Sequence, residues 1–296
     1  MKIGLIDVDS HNFPNLCLMK ISAYHKRKGD VVEWCNLFEH YDRVYMSRVF
    51  DNTYTDDFLT AIDADEIIKG GTGYGLDNKL PDEIEHIYPD YSLYPNLTKN
   101  TAYGFLTRGC PNNCPFCIVS KKEGRKSIKV ANLNEFWDGQ KNIKLLDPNL
   151  LACKDHLDLL QQLVNSGATV DFTQGLDARL ITNKNVKLLS LIKVKMVHFA
   201  FDLMENEKKI VEGLELYKKA TEIDERKTGV YILTNFNTTH GEDLYRVYKV
   251  RDMGYMPYIM IYNKPEAPQI TKKLQRWCNN RFIYRRTDKD FSKYNG

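Results

Sequence analysis

The sequence predicts an α/β protein in which a doubly wound parallel sheet is followed by a partial (β/α)6 barrel. Short apolar runs alternate with segments of helical periodicity along most of the 296 residues, which is typical of parallel sheets whose strands are connected by helices. A stretch with three prolines, residues 80–100, separates four predicted strands from six later ones. We therefore expect domains at 1–95 and 96–266, with a C-terminal helix and tail at 267–296.

The first domain is predicted to hold four short strands: Lys2–Val8, Val31–Trp34, Arg43–Met46 and Glu66–Lys69. A helix over 14–28 joins the first two strands, because apolar residues recur at helical spacing, cations occupy its last turn and Gly29 follows it. The prolines within 80–100 disfavour a continuous helix, so we expect an extended arm there.

The second domain repeats the order strand, loop, helix. Its six predicted strands are Tyr103–Thr107, Asn142–Leu146, Thr169–Phe172, Met196–Phe201, Val230–Leu233 and Tyr258–Ile261. Its clearest helices, from the spacing of their apolar residues, are Lys154–Ser166, Asn185–Ile192, Glu207–Ala220, Asp243–Arg251 and Gln269–Asn279. A further helix is expected to open at Asn132, where Glu135 completes a capping motif.

Polar residues follow most strands of this second domain: Asp147, Asn149, Thr173, Gln174, Asp177, Arg179, Asp202, Thr234, Asn235 and Tyr262. Such residues indicate either turns or a site at the carboxyl ends of the strands, where α/β barrels hold their chemistry. Because these polar residues recur at the ends of successive strands, we favour a site.

Composition limits the classes of function. The net charge of +3 is too small to argue for nucleic-acid binding, although the basic and aromatic tail at 281–294 leaves nucleic acid open as a partner. No apolar run approaches the ~20 residues of a membrane span, and the chain begins as a strand rather than a signal peptide. Seven cysteines without a paired framework favour a reducing, cytoplasmic setting.

Three of those cysteines, Cys110, Cys114 and Cys117, are spaced Cys-x3-Cys-x2-Cys among glycine and prolines, which predicts a tight metal-binding loop. Thiolates suit zinc and iron–sulfur clusters. A structural zinc site normally takes four protein ligands, and no second cysteine pair is present. Three ligands on a 4Fe–4S cluster leave one iron open for chemistry. A non-enzymatic module that holds zinc or an iron–sulfur cluster is the alternative.

The three cysteines, the aromatic Phe116 before the last of them and the preceding strand resemble the signature of the radical S-adenosylmethionine superfamily. The resemblance implies a partial barrel, an oxygen-sensitive 4Fe–4S cluster and S-adenosylmethionine bound to its open iron. It implies reductive cleavage to a 5′-deoxyadenosyl radical, which takes hydrogen from an unknown substrate. It also implies an external electron donor of the flavodoxin or ferredoxin type.

The family's layout suggests which residues contact S-adenosylmethionine. Asp147 stands where members contact the methionyl amino group, although it departs from their Gly-Gly-Glu form. Arg179 is a candidate for the methionyl carboxylate; alternatively it forms a salt bridge with Asp177 or another acid at the strand ends.

The ribose and the adenine have their own candidates. Gln174, Asp202 and Asn235 are candidates for the ribose hydroxyls or the substrate. Phe116 is expected to stack near the adenine, with simple packing under the loop as the alternative.

The first domain resembles the cobalamin-binding domains that precede many radical S-adenosylmethionine barrels. The resemblance rests on His11, Ser47 and the pair Gly70–Gly71, and it implies His11 as a lower axial ligand to cobalt. It departs at Pro14, which replaces a glycine, and in its shorter spacing. A cobalamin-dependent radical methyltransferase is therefore an alternative function; a cofactor-less sheet domain that shapes the active site is the other interpretation of this region.

Overall fold

The computed structural model describes residues 1–50 and 62–296. It is an α/β protein with one four-stranded and one six-stranded parallel sheet, as the sequence predicts. The chain forms two compact units, residues 1–104 with 131–143 and residues 105–130 with 144–296. The domain boundaries expected from the sequence stay predictions.

The first unit contains a four-stranded sheet of order β2-β1-β4-β6, in which every pair is parallel. Its strands and the small β3–β5 pair are β1 (Lys2–Asp7), β2 (Val31–Trp34), β3 (His40–Tyr41), β4 (Arg43–Ser47), β5 (Asp63–Ala64) and β6 (Ile67–Gly70). All four predicted strands are present within one residue at each end.

Helix α1 (Leu16–Arg27) packs its apolar stripe, including Leu18 and Ile21, with Ile3 and Leu5 of β1. The helix begins two residues later than predicted. The reason is Asn15, whose side chain accepts a hydrogen bond from the backbone N–H of Leu18 and so caps the first turn.

The prediction of an extended arm over 80–100 is wrong. The segment contains α2 (Asp82–Glu85), a 3-10 turn (Tyr91–Leu93) and α3 (Pro95–Thr98) before strand β7 (Thr101–Gly104). Pro81 precedes the first turn and Pro95 is the first residue of α3. At these positions a proline costs no hydrogen bond and its fixed φ suits a helix, so prolines start helical turns here.

The six-stranded sheet has the order β14-β13-β12-β11-β10-β7. Its later strands are β10 (Asn142–Leu145), β11 (Thr169–Phe172), β12 (Lys193–Ala200), β13 (Thr228–Thr234) and β14 (Pro257–Ile261). A separate antiparallel hairpin joins β8 (Thr107–Arg108) to β9 (Ile128–Lys129). All six predicted strands are present, but the first is shifted. It ends at Gly104 because the amides of Leu106 and Thr107 donate to the side chain of Asp147.

The helices that follow β7 are α4 (Val119–Lys122), α5 (His156–Ser166), α6 (Asn183–Leu191), α7 (Glu207–Thr221), α8 (His240–Asp252), α9 (Gln269–Asn279) and α10 (Arg281–Arg286). All five clear predictions are confirmed, whereas α10 was not predicted as a separate helix. The helix expected at Asn132 is a single 3-10 turn, closed by the predicted capping box with Glu135. Among the described helices none is long and apolar enough to cross a membrane.

One face of the six-stranded sheet is the core of the second unit. Alternate residues of its strands are almost fully buried: Leu145, Val170, Phe172, Val197, Phe199, Val230, Ile232 and Ile259. This period of two is expected of strands covered by helices on one side.

Arg246 of α8 is fully buried and donates hydrogen bonds to the carbonyls of Phe201, Asp202 and Leu233. It also pairs with Asp243 at 2.6 Å. This cation therefore fixes the carboxyl ends of β12 and β13.

Candidate functional site

The cysteine loop lies between β8 and β9 and is held by backbone contacts. Gly109 has φ of +85°, and a Cβ there would lie 2.1 Å from the carbonyl oxygen of Lys126, so only glycine fits. The next residue, Cys110, donates its N–H to the carbonyl of Gly124 at 3.1 Å. The amide of Cys117 donates to the carbonyl of Cys114 at 3.0 Å. The local sequence thus folds the three cysteines into one tight turn.

The three thiols are free and half-buried. Burial raises the pKa of the Cys114 thiol, and the neighbouring Cys117 and Cys110 raise that pKa further. A thiol ligates a metal only after it loses its proton. Because metal binding releases that proton, a cation at this loop would favour the thiolate form of all three.

A cavity of about 630 Å³ opens beside this loop, part of its volume being open to solvent. The predicted site residues that line it are Cys110, Cys114, Phe116, Gln174, Arg179 and Asp202. They come from the loop and from the segments that follow β11 and β12, so the cavity lies at the carboxyl ends of the strands. Six of the predicted site residues, from the cysteine loop and from two strand ends, therefore line one cavity.

Asn149 links the loop to the rim of the cavity. Its Nδ2 donates to Sγ of Cys110 at 3.5 Å and to Oδ2 of Asp177 at 3.3 Å. Its Oδ1 is buried, and within the described chain this atom has no hydrogen-bond partner. Sequence reasoning noted Asn149 among the polar strand ends but gave it no role. Such an orphaned acceptor beside a cavity is a place for a ligand's donor.

Arg179 forms a fork with Asp177, with Nε 2.8 Å from Oδ1 and Nη2 2.7 Å from Oδ2. The alternative expected for this arginine, a salt bridge, is therefore present. Burial raises the pKa of Asp177, but hydrogen bonds from Arg179 and Asn112 outweigh it and leave that pKa lowered. In the described part of the chain Nη1 of Arg179 makes no hydrogen bond. Whether it binds a carboxylate stays a prediction.

Asp202 supplies a buried carboxylate at the cavity wall. Its Oδ1 accepts a hydrogen bond from the N–H of Leu233 at 2.9 Å. Burial raises its pKa to about 6, against the lowering effects of that bond and of Arg246 and Arg179. Gln174 lines the same space with an exposed side chain. Both groups can exchange hydrogen bonds with hydroxyls.

Asp147 is not among the residues that line this cavity. Its carboxylate accepts hydrogen bonds from the amides of Leu106 and Thr107 and from the Thr107 hydroxyl, at 2.5 to 3.2 Å. The residue is only 4% exposed, and burial raises its pKa to about 6. The structure gives it a role in anchoring the start of the cysteine hairpin; its predicted contact with a methionyl amino group stays a prediction.

Phe116 belongs to a short aromatic row. Its ring meets Phe236 edge-on, with centroids 5.2 Å apart, and Phe236 meets Tyr262 at 5.0 Å. Asn235 has φ of +58° and donates to the carbonyl of Tyr262; it is not among the residues that line the described cavity. Sequence reasoning missed Phe236, for which only its position after a strand end gave a signal.

The residues predicted for cobalamin lie in the first unit. Ser47 and Gly70 are register partners on neighbouring strands, so the structure brings them together. The Ser47 hydroxyl is buried and accepts a hydrogen bond from Asn15. Gly71 has φ of +96°, and a Cβ there would meet the Arg48 carbonyl at 2.2 Å. His11 is exposed at φ of +48°. Cobalamin binding stays a prediction.

Across residues 1–50 and 62–296, no group of three His, Cys, Asp or Glu side chains is arranged to hold a single metal ion. Metal binding at the cysteine loop therefore stays a prediction.

No protein-family model matches the chain, and a comparison with curated proteins finds no match.

Proposed function

We propose that this chain is a radical S-adenosylmethionine enzyme. One observation carries the proposal: two of three free thiols on one tight loop line a cavity that Gln174, Arg179 and Asp202 also line. A closed structural site would surround its metal with protein ligands, whereas this loop supplies three ligands and faces open space. That combination suits a metal group that must also bind a small molecule.

The donor set suits a 4Fe–4S cluster held by Cys110, Cys114 and Cys117. Thiolates are the usual ligands of such clusters, and hydrogen bonds to their sulfurs set the reduction potential. The Nδ2 of Asn149 already points at Sγ of Cys110. When bound and reduced, the cluster would supply the electron that cleaves S-adenosylmethionine to methionine and a 5′-deoxyadenosyl radical.

The cavity offers complementary groups for each part of S-adenosylmethionine. Arg179 lies near Cys110 and Cys114 and keeps a free N–H to bind the methionyl carboxylate. The orphaned Oδ1 of Asn149 would accept a hydrogen bond from the methionyl ammonium group. Gln174 and Asp202 would bind the ribose hydroxyls, and Phe116 would pack on the adenine. Asn149 thus takes the place near the amino group for which Asp147 was first considered.

The fold supports the same proposal. Five successive strands, β10 to β14, lie side by side in sequence order, and the registers from β11 to β14 are parallel. We interpret this sheet as the partial (β/α)6 barrel and the four-stranded sheet as a Rossmann-like domain. The cavity at the carboxyl ends of β11 and β12 is where such barrels carry their sites. Seven free cysteines suit a reducing, cytoplasmic setting.

Metal analysis of anaerobically purified and reconstituted protein tests the proposal. We expect about four irons and four sulfides per chain, with broad visible absorbance. The absorbance should be lost when all three loop cysteines are replaced by alanine and retained in Cys35→Ala, since Cys35 lies in the first unit. Zinc bound without iron or sulfide would contradict the proposal and support the zinc module.

A further inference from the structure

The segment that follows the cysteine loop, residues 118–130, is strongly basic. It carries five cations, Lys121, Lys122, Arg125, Lys126 and Lys129, against the single acid Glu123. That acid is already paired with Arg108 at 2.9 Å. We name this stretch the basic segment. Its charge stands out in a protein whose net charge is only +3.

The basic segment is bound directly to the cysteine loop. The amide of Cys110 donates to the carbonyl of Gly124 within it, and Gly109 donates its amide to the Glu123 carboxylate at 3.2 Å. Gly109 also packs against the Lys126 carbonyl. The basic segment is therefore joined by a backbone hydrogen bond to the residue that carries one of the three thiols.

Two apolar side chains are exposed at the ends of the basic segment. Ile118 is 51% exposed and Ile128 is 54% exposed. Single exposed apolar residues are ordinary. Here the two isoleucines flank the cations along one stretch of sequence, and a protein interface commonly combines apolar residues with a charged rim.

Three of the five cations have no ion-pair partner among the described residues. Lys121, Arg125 and Lys126 make no ion pair with any described residue. Lys129 pairs with Asp158 at 3.2 Å, but that carboxylate is 62% exposed and such surface pairs are weak. Unpaired cations of this density would attract an acidic surface and increase its rate of encounter.

We infer that the basic segment is the docking surface for an acidic one-electron carrier protein. The inference rests on the proposed function, which needs an electron delivered at the cysteine loop. One electron leaves the reduced carrier and enters the group held by Cys110, Cys114 and Cys117. The carrier is oxidised by one electron, and no bond or proton is exchanged. The surface is defined by Ile118, Ile128 and the five cations.

Binding tests this inference without using activity. The probe is an acidic ferredoxin in its oxidised form, and its Kd for the holoprotein is measured by calorimetry at low salt. The variant Lys121→Glu/Arg125→Glu/Lys126→Glu should weaken binding at least about tenfold, the lower end of electrostatic effects on association. A matched control, Lys184→Glu/Lys187→Glu/Lys219→Glu, reverses three exposed cations elsewhere in the same unit and should bind as the wild type does.

Reduction kinetics separate this inference from the proposed function. Reduction by the ferredoxin should be slowed at least about tenfold in the first variant, while reduction by dithionite, which needs no docking, should keep its wild-type rate. If dithionite yields no 5′-deoxyadenosine in the wild type, the proposed function fails. If dithionite works but the ferredoxin binds and reduces both triple variants equally, the docking inference fails.

Two further results would overturn the docking inference. The first is an unchanged Kd for the ferredoxin in Ile118→Ser/Ile128→Ser together with an unchanged Kd in the first triple variant. The second concerns a polyanion of another class. If a single-stranded oligonucleotide loses its binding in that triple variant while the ferredoxin does not, the basic segment serves nucleic acid instead.

Discussion

Arg179 and Asp177 are joined by two parallel hydrogen bonds at the edge of the cavity, at 2.8 and 2.7 Å. The carboxylate thereby fixes the guanidinium plane, and it leaves one terminal nitrogen for a ligand. Asp224 and Arg226 form the same two-residue fork on the surface of the same unit. The second fork is exposed and lines no described cavity, so it is a matched reference for the first.

The variant Arg179→Lys should weaken S-adenosylmethionine binding about tenfold or more. An ammonium group cannot form the two parallel bonds to Asp177 that fix the guanidinium plane, so no N–H is held in place for the methionyl carboxylate. Arg226→Lys should leave the affinity unchanged. Calorimetry on the reconstituted protein measures both. Equal affinities for the two variants would remove Arg179 from the binding site.

Asn149 donates to the sulfur of Cys110, and hydrogen bonds to cluster sulfurs favour the more negative, reduced state. Asn149→Ala should therefore lower the reduction potential of the reconstituted cluster. A redox titration followed by electron paramagnetic resonance measures this shift. Asn165→Ala, at an exposed helical position, is the control; a potential unchanged in both variants would contradict the assignment.

Asp147 predicts how stability depends on pH. Its pKa is about 6 in the folded protein and about 3.9 when unfolded, so the folded state binds the proton more tightly. Stability from this group is therefore present at low pH and lost as pH rises through 6. Between pH 7 and 5 the unfolding free energy should rise by about 1 kcal/mol more in the wild type than in Asp147→Asn. Parallel curves from urea titrations would contradict this.

Arg246 is expected to be the most sensitive position of α8. Arg246→Met removes the ion-pair partner of buried Asp243, which keeps the hydrogen bond from the Thr238 hydroxyl, and it removes a donor from three carbonyls. Breaking such a pair costs about 3–5 kcal/mol, to be measured by urea unfolding. Arg276→Met, at an exposed position of α9, should change the unfolding free energy by less than about 0.5 kcal/mol. Similar values for the two variants would show that the buried network contributes little.

Much of the fold could be predicted from local pattern. The strands β2 and β11 and the helix α9 have the predicted ends, since β-branched and aromatic residues mark the strands and apolar residues at helical spacing mark the helix. The start of the cysteine hairpin was predicted less well. There the amides of Leu106 and Thr107 bind Asp147, a residue about 40 positions away, and no local pattern reports such a contact.

The candidate site shows the same limit. The spacing of the cysteines, the aromatic residue before the last of them and the polar strand ends identified six residues that line the cavity, because these residue types are visible in the sequence. The role of each residue, however, depends on the contacts that it makes in the folded protein. Asp147 is turned to the backbone, whereas Asn149 faces both a cysteine sulfur and the cavity. Both are polar residues two positions apart in the same loop, so residue type alone does not show which of them lines the cavity.

The most direct test of the central claim is the formation of 5′-deoxyadenosine. The reconstituted protein is mixed anaerobically with S-adenosylmethionine and dithionite, and 5′-deoxyadenosine is quantified by liquid chromatography. We predict that it accumulates in the wild type and in Cys35→Ala and falls to the level of a protein-free control when Cys110, Cys114 or Cys117 is replaced by alanine. Equal amounts with and without these three thiols would contradict the account.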